Sequence, residues 1–190
     1  PAVDMLRNIE DGSPIDFTGK RVAVIGGGNV AMDVTRSAIR LGASEVTVVY
    51  RRRIDDMTAL PEEIEGAIAE GAEILQLHSP LRIESNDADE VTALWVQPQI
   101  IGKFDKSGRP SPVQADQPPK RIPCDYVIIA IGQLIEYKHF AEQDIPVKWG
   151  ILEAEKDTSI RENEGIFAGG DCITGPATVI RAIEAGKVGA

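Results

Sequence analysis

Three consecutive glycines, Gly26, Gly27 and Gly28, follow a short apolar run over residues 22–25 and precede a helical pattern that begins at Asn29. Read as G-x-G-x-x-A, the marker positions are Gly26, Gly28 and Ala31. In such a sequence the first glycine makes a tight turn and the second lets a pyrophosphate approach the backbone. The small third residue lets the helix pack closely on the strand. The free N–H groups and the positive end of the helix dipole then face phosphate oxygens. This makes Gly26, Gly28, Asn29 and Val30 the candidate positions for binding a dinucleotide. In domains that select an unphosphorylated ribose, an acidic side chain stands about 20 residues further on. Here the second strand ends at Val49 and Tyr50 with no carboxylate, and Arg51 and Arg52 follow immediately. A guanidinium fork matches phosphate oxygens in bidentate geometry. The pair is therefore expected to hold a 2′-phosphate and to favour NADP over NAD. The bland alternative is a solvated loop of three arginines, Arg51, Arg52 and Arg53.

Other chemistry is less visible. No Ser-His-Asp set, catalytic carboxylate pair or activated lysine emerges, and hydride transfer needs none, since the cofactor carries that chemistry. Cys124 and Cys172 form no C-x-x-C, so they offer neither a redox dithiol nor a complete metal site. Cys124 borders an apolar strand and reads as a small core residue. His78 and His139 have no partner at ligand spacing. The net charge of −10 argues against nucleic acid or an acidic membrane as partner. Hydrophobic residues at 43% and charged residues at 26% are ordinary for a soluble globular protein. The 190 residues suffice for one sizeable core, or for one domain and part of another. There is no membrane-length apolar run and no signal-peptide pattern, so a cytoplasmic setting is expected. The first residue is Pro1, which suggests a processed or excised piece.

The elements that would position the glycine and arginine loops follow from periodicity. Val3, Met5, Leu6 and Ile9 predict an amphipathic helical stretch over residues 1–9, with a turn at residues 11–14. After the glycines, Val30, Val34, Ala38 and Leu41 predict a helix stripe against a sheet, stopped at Gly42. Residues 45–50 predict a second strand, parallel to the first by the right-handed crossover rule. A charged loop over residues 51–56 leads to a helix over residues 61–70, whose buried stripe is expected to be Ile64, Ala67 and Ile68. Pro61 suits its first turn, Glu62 and Glu63 its dipole, and Gly71 its end. Residues 73–77 predict a third strand.

From Leu81 the pattern changes to an antiparallel excursion. Strands are expected over residues 81–84 and 91–101, with turns at residues 85–90 and 105–108. Residues 108–120 are proline-rich and polar and are expected to be exposed. Residues 126–131 predict an apolar strand that ends at Gly132. The weakly patterned stretch 135–156 marks a domain change. It is followed by a short strand over residues 165–168, the Gly169-Gly170-Asp171 turn and a helix over residues 178–187. The expected fold class is α/β: a Rossmann-like parallel sheet with flanking helices and an antiparallel β excursion.

Residues 24–33, together with Tyr50-Arg51-Arg52, resemble the NADPH domain of two-dinucleotide flavoprotein oxidoreductases. The nearest resemblance is to the small (beta) subunit of NADPH-dependent glutamate synthase and its relatives. Residues 125–132, residues 166–171 and Gly175-Pro176-Ala177-Thr178 extend it in the family's order. The resemblance implies an NADP(H)-binding domain over residues 1–135 and the C-terminal part of an FAD-binding domain over residues 136–190, a partial second domain. It implies that Gly132 lines the nucleotide cleft and that Gly170 and Asp171 hold the ribityl–phosphate region of FAD. It also implies that Ala177 and Thr178 face the flavin ring. Implied partners are NADPH, the remainder of the FAD domain and an electron-transfer subunit reached through iron–sulfur clusters outside this chain. Two departures stand out. Met57-Thr58-Ala59 replaces the Met-Pro-Ala frequent in the relatives, and the family's N-terminal FAD glycine loop is missing from these residues. A thioredoxin-reductase-like disulfide enzyme is disfavoured by the lack of C-x-x-C. The alternative from another class is a non-catalytic nucleotide-binding or docking module.

Overall fold

The computed structural model describes residues 1–105, 108–161 and 163–190. These form two compact units, Pro1–Ile131 and Gly132–Ala190, divided just ahead of the boundary expected after residue 135.

In the first unit, α1 (Ala2–Glu10), β1 (Arg21–Ile25), α2 (Asn29–Arg40), β2 (Glu45–Tyr50), α3 (Pro61–Ala69) and β3 (Glu73–Gln76) follow one another. The chain then enters β4 (His78–Ser85), β5 (Val91–Phe104), β6 (Pro110–Gln114) and β7 (Lys120–Pro123), and returns as β8 (Tyr126–Ile129). Strands β3-β2-β1-β8 make an all-parallel sheet. Both of its faces are covered, as parallel strands require. Val22, Val24, Val46 and Val48 pack with Ala31, Met32, Val34 and Ala38 of α2, and with Phe17 and Ile64. The alternate residues Ala23, Ile25 and Val49 pack instead against Leu94, Val96 and Cys124 of the excursion. The period-2 alternation of each strand thus separates the two cores.

Two predicted stripes shift. The buried face of α2 runs through Ala31, Val34, Thr35 and Ala38, so Val30 lies one position off it and is 40% exposed. In α3, Ile64 and Ala67 are buried but Ile68 is 46% exposed. Ala67 and Ile68 flank the Ile64 line on opposite sides, and only the Ala67 flank is covered.

The excursion is antiparallel, with β5 pairing β4, β6 and β7. The stretch expected to be exposed after residue 108 is partly ordered into β6, with Pro110 and Ala115 buried. Its prolines are tolerated because β6 is an edge strand. Within the turn expected over residues 105–108, Lys106 and Ser107 lie outside the described residues. Its flanks are joined by Asp105 N–H donating to the Arg109 carbonyl at 2.8 Å.

The second unit contains α4 (Lys138–Ala141), a two-stranded ribbon of β9 (Val147–Lys148) and β10 (Ile151–Leu152), α5 (Asp171–Thr174) and α6 (Val179–Gly189). Its buried core is Ile145, Leu152 and Ile160. The strand predicted over residues 165–168 reduces to a single antiparallel bridge, Ser159 to Phe167. Backbone bonds flank it, Ala168 N–H to the Thr158 carbonyl at 2.8 Å and Ile160 N–H to the Ile166 carbonyl at 2.9 Å, and Thr158 turns the partner segment with φ +69°. No helix among the described residues is long and apolar enough to cross a membrane.

Candidate nucleotide-binding site

The loop after β1 is held on three sides by backbone hydrogen bonds. Gly26 N–H donates to the Val49 carbonyl at 3.2 Å, and Ala130 N–H donates to the Ile25 carbonyl at 2.8 Å. The Gly27 carbonyl accepts from both Thr58 N–H and Ala59 N–H at 3.0 Å. Each glycine then has its own reason. Gly26 has φ +148°, and a Cβ there would overlap the Ala130 carbonyl. Gly27 faces the Tyr50 ring, where a Cβ would stand 2.5 Å from Cε2. Gly28 is extended at φ −102°, and a Cβ there would meet only the Thr58 hydroxyl at 3.4 Å. The marker spacing pointed to Gly26 and Gly28 but missed Gly27, whose constraint comes from β2.

Gly28 is the N-cap of α2, and no side chain caps the helix. Its carbonyl accepts from Ala31 and Met32, while the N–H groups of Gly28, Asn29 and Val30 have no backbone acceptor among the described residues. Three unspent donors at the positive end of a twelve-residue helix make a cradle of the kind that can hold phosphate oxygens. The Asn29 side chain points elsewhere, its Oδ1 accepting from Leu60 N–H at 2.9 Å. Val30 leaves its side chain exposed beside the cradle.

The three arginines after β2 have three different surroundings. Arg51 is exposed and has no hydrogen bond or ion pair among the described residues. Arg52 is buried; its Nε donates to the Pro110 carbonyl at 2.9 Å and its Nη2 pairs with Asp105 at 3.0 Å. Arg53 makes a bidentate pair with Asp56 at 2.8 and 2.9 Å, which pulls the Asp56 carboxyl below its ordinary pKa. Asp56 also accepts, through its carbonyl, the Tyr50 hydroxyl at 2.9 Å. The loop is therefore a built structure in which only the Arg51 guanidinium is uncommitted. Arg52, expected beside Arg51 as a phosphate ligand, has its fork turned into the protein because two acceptors from the excursion claim it.

In the second unit Gly132 begins the chain segment at φ +109° with open space around it. Gly169 and Gly170 pack against Ala185 and Ala182 of α6, and Gly170 has φ +71°. Asp171 follows as the first residue of α5, and its Oδ1 accepts Ala177 N–H at 3.1 Å. That bond joins Asp171 to the start of α6, whose N-cap is Thr178, without a side-chain cap. The N–H groups of Thr178, Val179 and Ile180 have no backbone acceptor among the described residues. The structure thus gathers Gly170, Asp171, Ala177 and Thr178 into one neighbourhood that presents open amides. Cys124 is buried, and its thiol is pushed up by that burial. Among the described residues no group of His, Cys, Asp and Glu could hold a metal ion.

A parallel sheet with a glycine turn at the carboxyl end of β1, where the chain connects to β2 on one side and β8 pairs on the other, is the architecture shared by dinucleotide-binding α/β domains. Residues 2–186 match the family described as pyridine nucleotide-disulphide oxidoreductase, and the chain belongs to that family. It is 37% identical over 188 residues to the NADP(+)-dependent formate dehydrogenase subunit beta of Moorella thermoacetica, covering 98% of this chain and 26% of that one. It is 34% identical over 178 residues to the glutamate synthase [NADPH] small chain of Escherichia coli strain K12, covering 91% of this chain and 38% of that one. Among solved structures it shares the fold of Mycobacterium tuberculosis FprA in complex with NADPH. The TM-score there is 0.75 at 19% identity, over 99% of this chain and 56% of FprA. The chain therefore spans well under half the length of these two curated relatives. The resemblance seen in the sequence motifs holds: relatives of this chain include glutamate synthase small chains and other NADPH oxidoreductase beta subunits.

Proposed function

We propose that this chain is part of an NADPH-dependent flavoprotein oxidoreductase of the glutamate synthase small-subunit type. The first unit acts as its NADP(H)-binding domain and the second as the C-terminal part of its FAD-binding domain. The observation that carries the proposal is the pairing of an uncapped, glycine-floored helix start with a carboxylate-free strand tip that ends in one uncommitted arginine. Pyrophosphate would lie on the N–H groups of Gly28, Asn29 and Val30, close to Gly26, while the Arg51 fork takes the 2′-phosphate. Gly170, Asp171, Ala177 and Thr178 would contribute to the flavin side, and Gly132 would line the nucleotide cleft. When both cofactors are bound, the chemistry they supply is hydride exchange between nicotinamide and flavin. The onward route would run through iron–sulfur centres outside these residues to a partner subunit; the subunit names of the relatives support the partner alone.

Calorimetric titration of NADPH and NADH into the full chain tests the nucleotide assignment. NADPH is expected to bind more tightly. A charged hydrogen bond is worth about 1.5–3 kcal/mol, so Arg51→Ala should weaken NADPH roughly 10- to 100-fold and leave NADH nearly unchanged. Equal losses for both nucleotides would remove the 2′-phosphate assignment. Binding of neither by the unaltered chain would favour a non-catalytic docking module.

A further inference from the structure

Among the described residues the buried polar or charged side chains are Thr35, Arg52, His78 and Gln97. Thr35 is satisfied inside α2, its hydroxyl donating to the Ala31 carbonyl at 2.7 Å. The other three lie where the loop after β2 meets the β5–β6 hairpin. The Arg52 carbonyl accepts Leu77 N–H at 3.0 Å, and the Leu77 carbonyl accepts Gln99 N–H at 2.7 Å. His78 pairs in register with Pro98. Gln97 donates to the Ala115 and Gln117 carbonyls at 3.3 and 3.0 Å. The Arg52 side chain then reaches the other end of the same hairpin, at Pro110 and Asp105. The loop is fastened to the base of the hairpin by backbone and to its turn by a guanidinium.

A guanidinium in this position is poorly placed to serve an incoming phosphate as well. Its side chain is 9% exposed, and two of its three nitrogens are spent on a carbonyl and a carboxylate. Swinging it out would break the bonds to the Pro110 carbonyl and the Asp105 carboxylate and empty the site that the buried side chain fills. Arg51, its neighbour in sequence, has the opposite surroundings: exposed and uncommitted.

We propose that Arg52 is a positioning residue, pinning the loop after β2 to the β5–β6 hairpin through Asp105 and Pro110 so that Arg51 alone meets the 2′-phosphate. This rests on the NADP assignment above. It gives the antiparallel excursion a part in nucleotide selection, although its strands do not carry the glycine loop. A residue that acts only through another has no effect once that other is gone, which is the signature of coupling between neighbouring sites.

The test is a set of NADPH and NADH dissociation constants for the unaltered full chain, Arg51→Ala, Arg52→Gln, Asp105→Asn and the double variant Arg51→Ala/Arg52→Gln. Arg52→Gln is expected to weaken NADPH by about tenfold, with NADH little changed, and the double variant should bind NADPH no more weakly than Arg51→Ala alone. Asp105→Asn removes no cation, yet it should weaken NADPH in the same direction. Multiplying losses in the double variant would make Arg52 a direct ligand and overturn the proposal. So would an Arg52→Gln variant that keeps full NADPH affinity, or an Asp105→Asn variant that binds NADPH as tightly or more tightly. If Arg52→Gln does not fold, the pair Asp105→Asn and Arg51→Ala/Asp105→Asn answers by the same criterion. An unaltered chain that binds both nucleotides equally would overturn the NADP assignment itself, an outcome distinct from preference with multiplying losses.

Discussion

Gly27 is enclosed by the Tyr50 ring so closely that a single methyl group has no space there. Gly27→Ala should therefore cost about 1–3 kcal/mol, the usual range for overpacking, and lower the thermal midpoint. Gly28→Ala should behave differently. Its extended backbone suits any residue and its nearest neighbour is 3.4 Å away, so the cost should be only the roughly 0.5–1 kcal/mol by which an N-cap Ala falls short of Gly. The added methyl would stand in the cradle, so NADPH affinity should fall. Thermal melts and titrations of both variants separate the two effects, and a strongly destabilised Gly28→Ala would contradict this. The difference also shows what a motif can disclose. The G-x-G-x-x-A spacing describes the ligand's demands on the backbone, so it pointed to Gly26 and Gly28. The demand on Gly27 comes from the side chain that ends β2, whose ring orientation no local pattern reveals. The surroundings of Arg52 were hidden for the same reason, since its acceptors lie 58 and 53 residues further along the chain.

At the scale of elements, three carboxylates fasten neighbours together. Glu70 joins α3 to α2 through Arg36 and Arg40, with contacts of 2.8 and 2.6 Å. Asp125, just before β8, accepts from the backbone and side chain of Arg21 on β1. Glu84 on β4 accepts from Arg121 on β7 and from Trp95 on β5. Hydrogen bonds from Arg40 and Arg36 hold the Glu70 pKa at about 2. Those from Arg121 and Trp95 do the same for Glu84, and those from Arg21 for Asp125. A carboxyl depressed on folding contributes stability above its unfolded pKa, about 3.9 for Asp and 4.3 for Glu. That contribution is lost as pH falls through the folded value. The thermal midpoint should thus decline between pH about 4.5 and about 2, and Glu70→Gln should reduce the slope. A flat profile across that window would show that these pairs contribute nothing. Periodicity was a good guide to which elements exist, because strand and helix repeats are local. It misjudged Val30 and Ile68 because the covered flank of a helix depends on what packs beside it.

At the scale of the molecule, the two units differ in how much they bury. The first has a core on each face of its sheet, whereas the second closes over Ile145, Leu152 and Ile160. Along α6, Val179 and Ile180 are more than three-quarters exposed. Few buried contacts mean low local opening energies. Hydrogen exchange followed by mass spectrometry should show weaker protection in α5 and α6 than in β1, β2 and α2, and equal protection would contradict this. The change of pattern after residue 135 pointed to a second unit. How little of that unit is covered could not be read from it, because apolar residues in a helix look alike whether or not a neighbour covers them.

The parallel sheet closes only when β8 reaches β1, and the bond that fixes that edge, Arg21 to Asp125, joins residues 104 positions apart. On a ribosome adding about 5–20 residues per second, β1 waits roughly 5–20 s for its second neighbour. Throughout that interval it is an open edge, available to wrong pairing. Ala130, the wall against which Gly26 is fitted, arrives last. A nascent chain therefore lacks one of the three supports of its glycine loop until translation has passed the whole excursion, and under the proposed NADP(H) assignment nucleotide capture would report that synthesis of the first unit is complete.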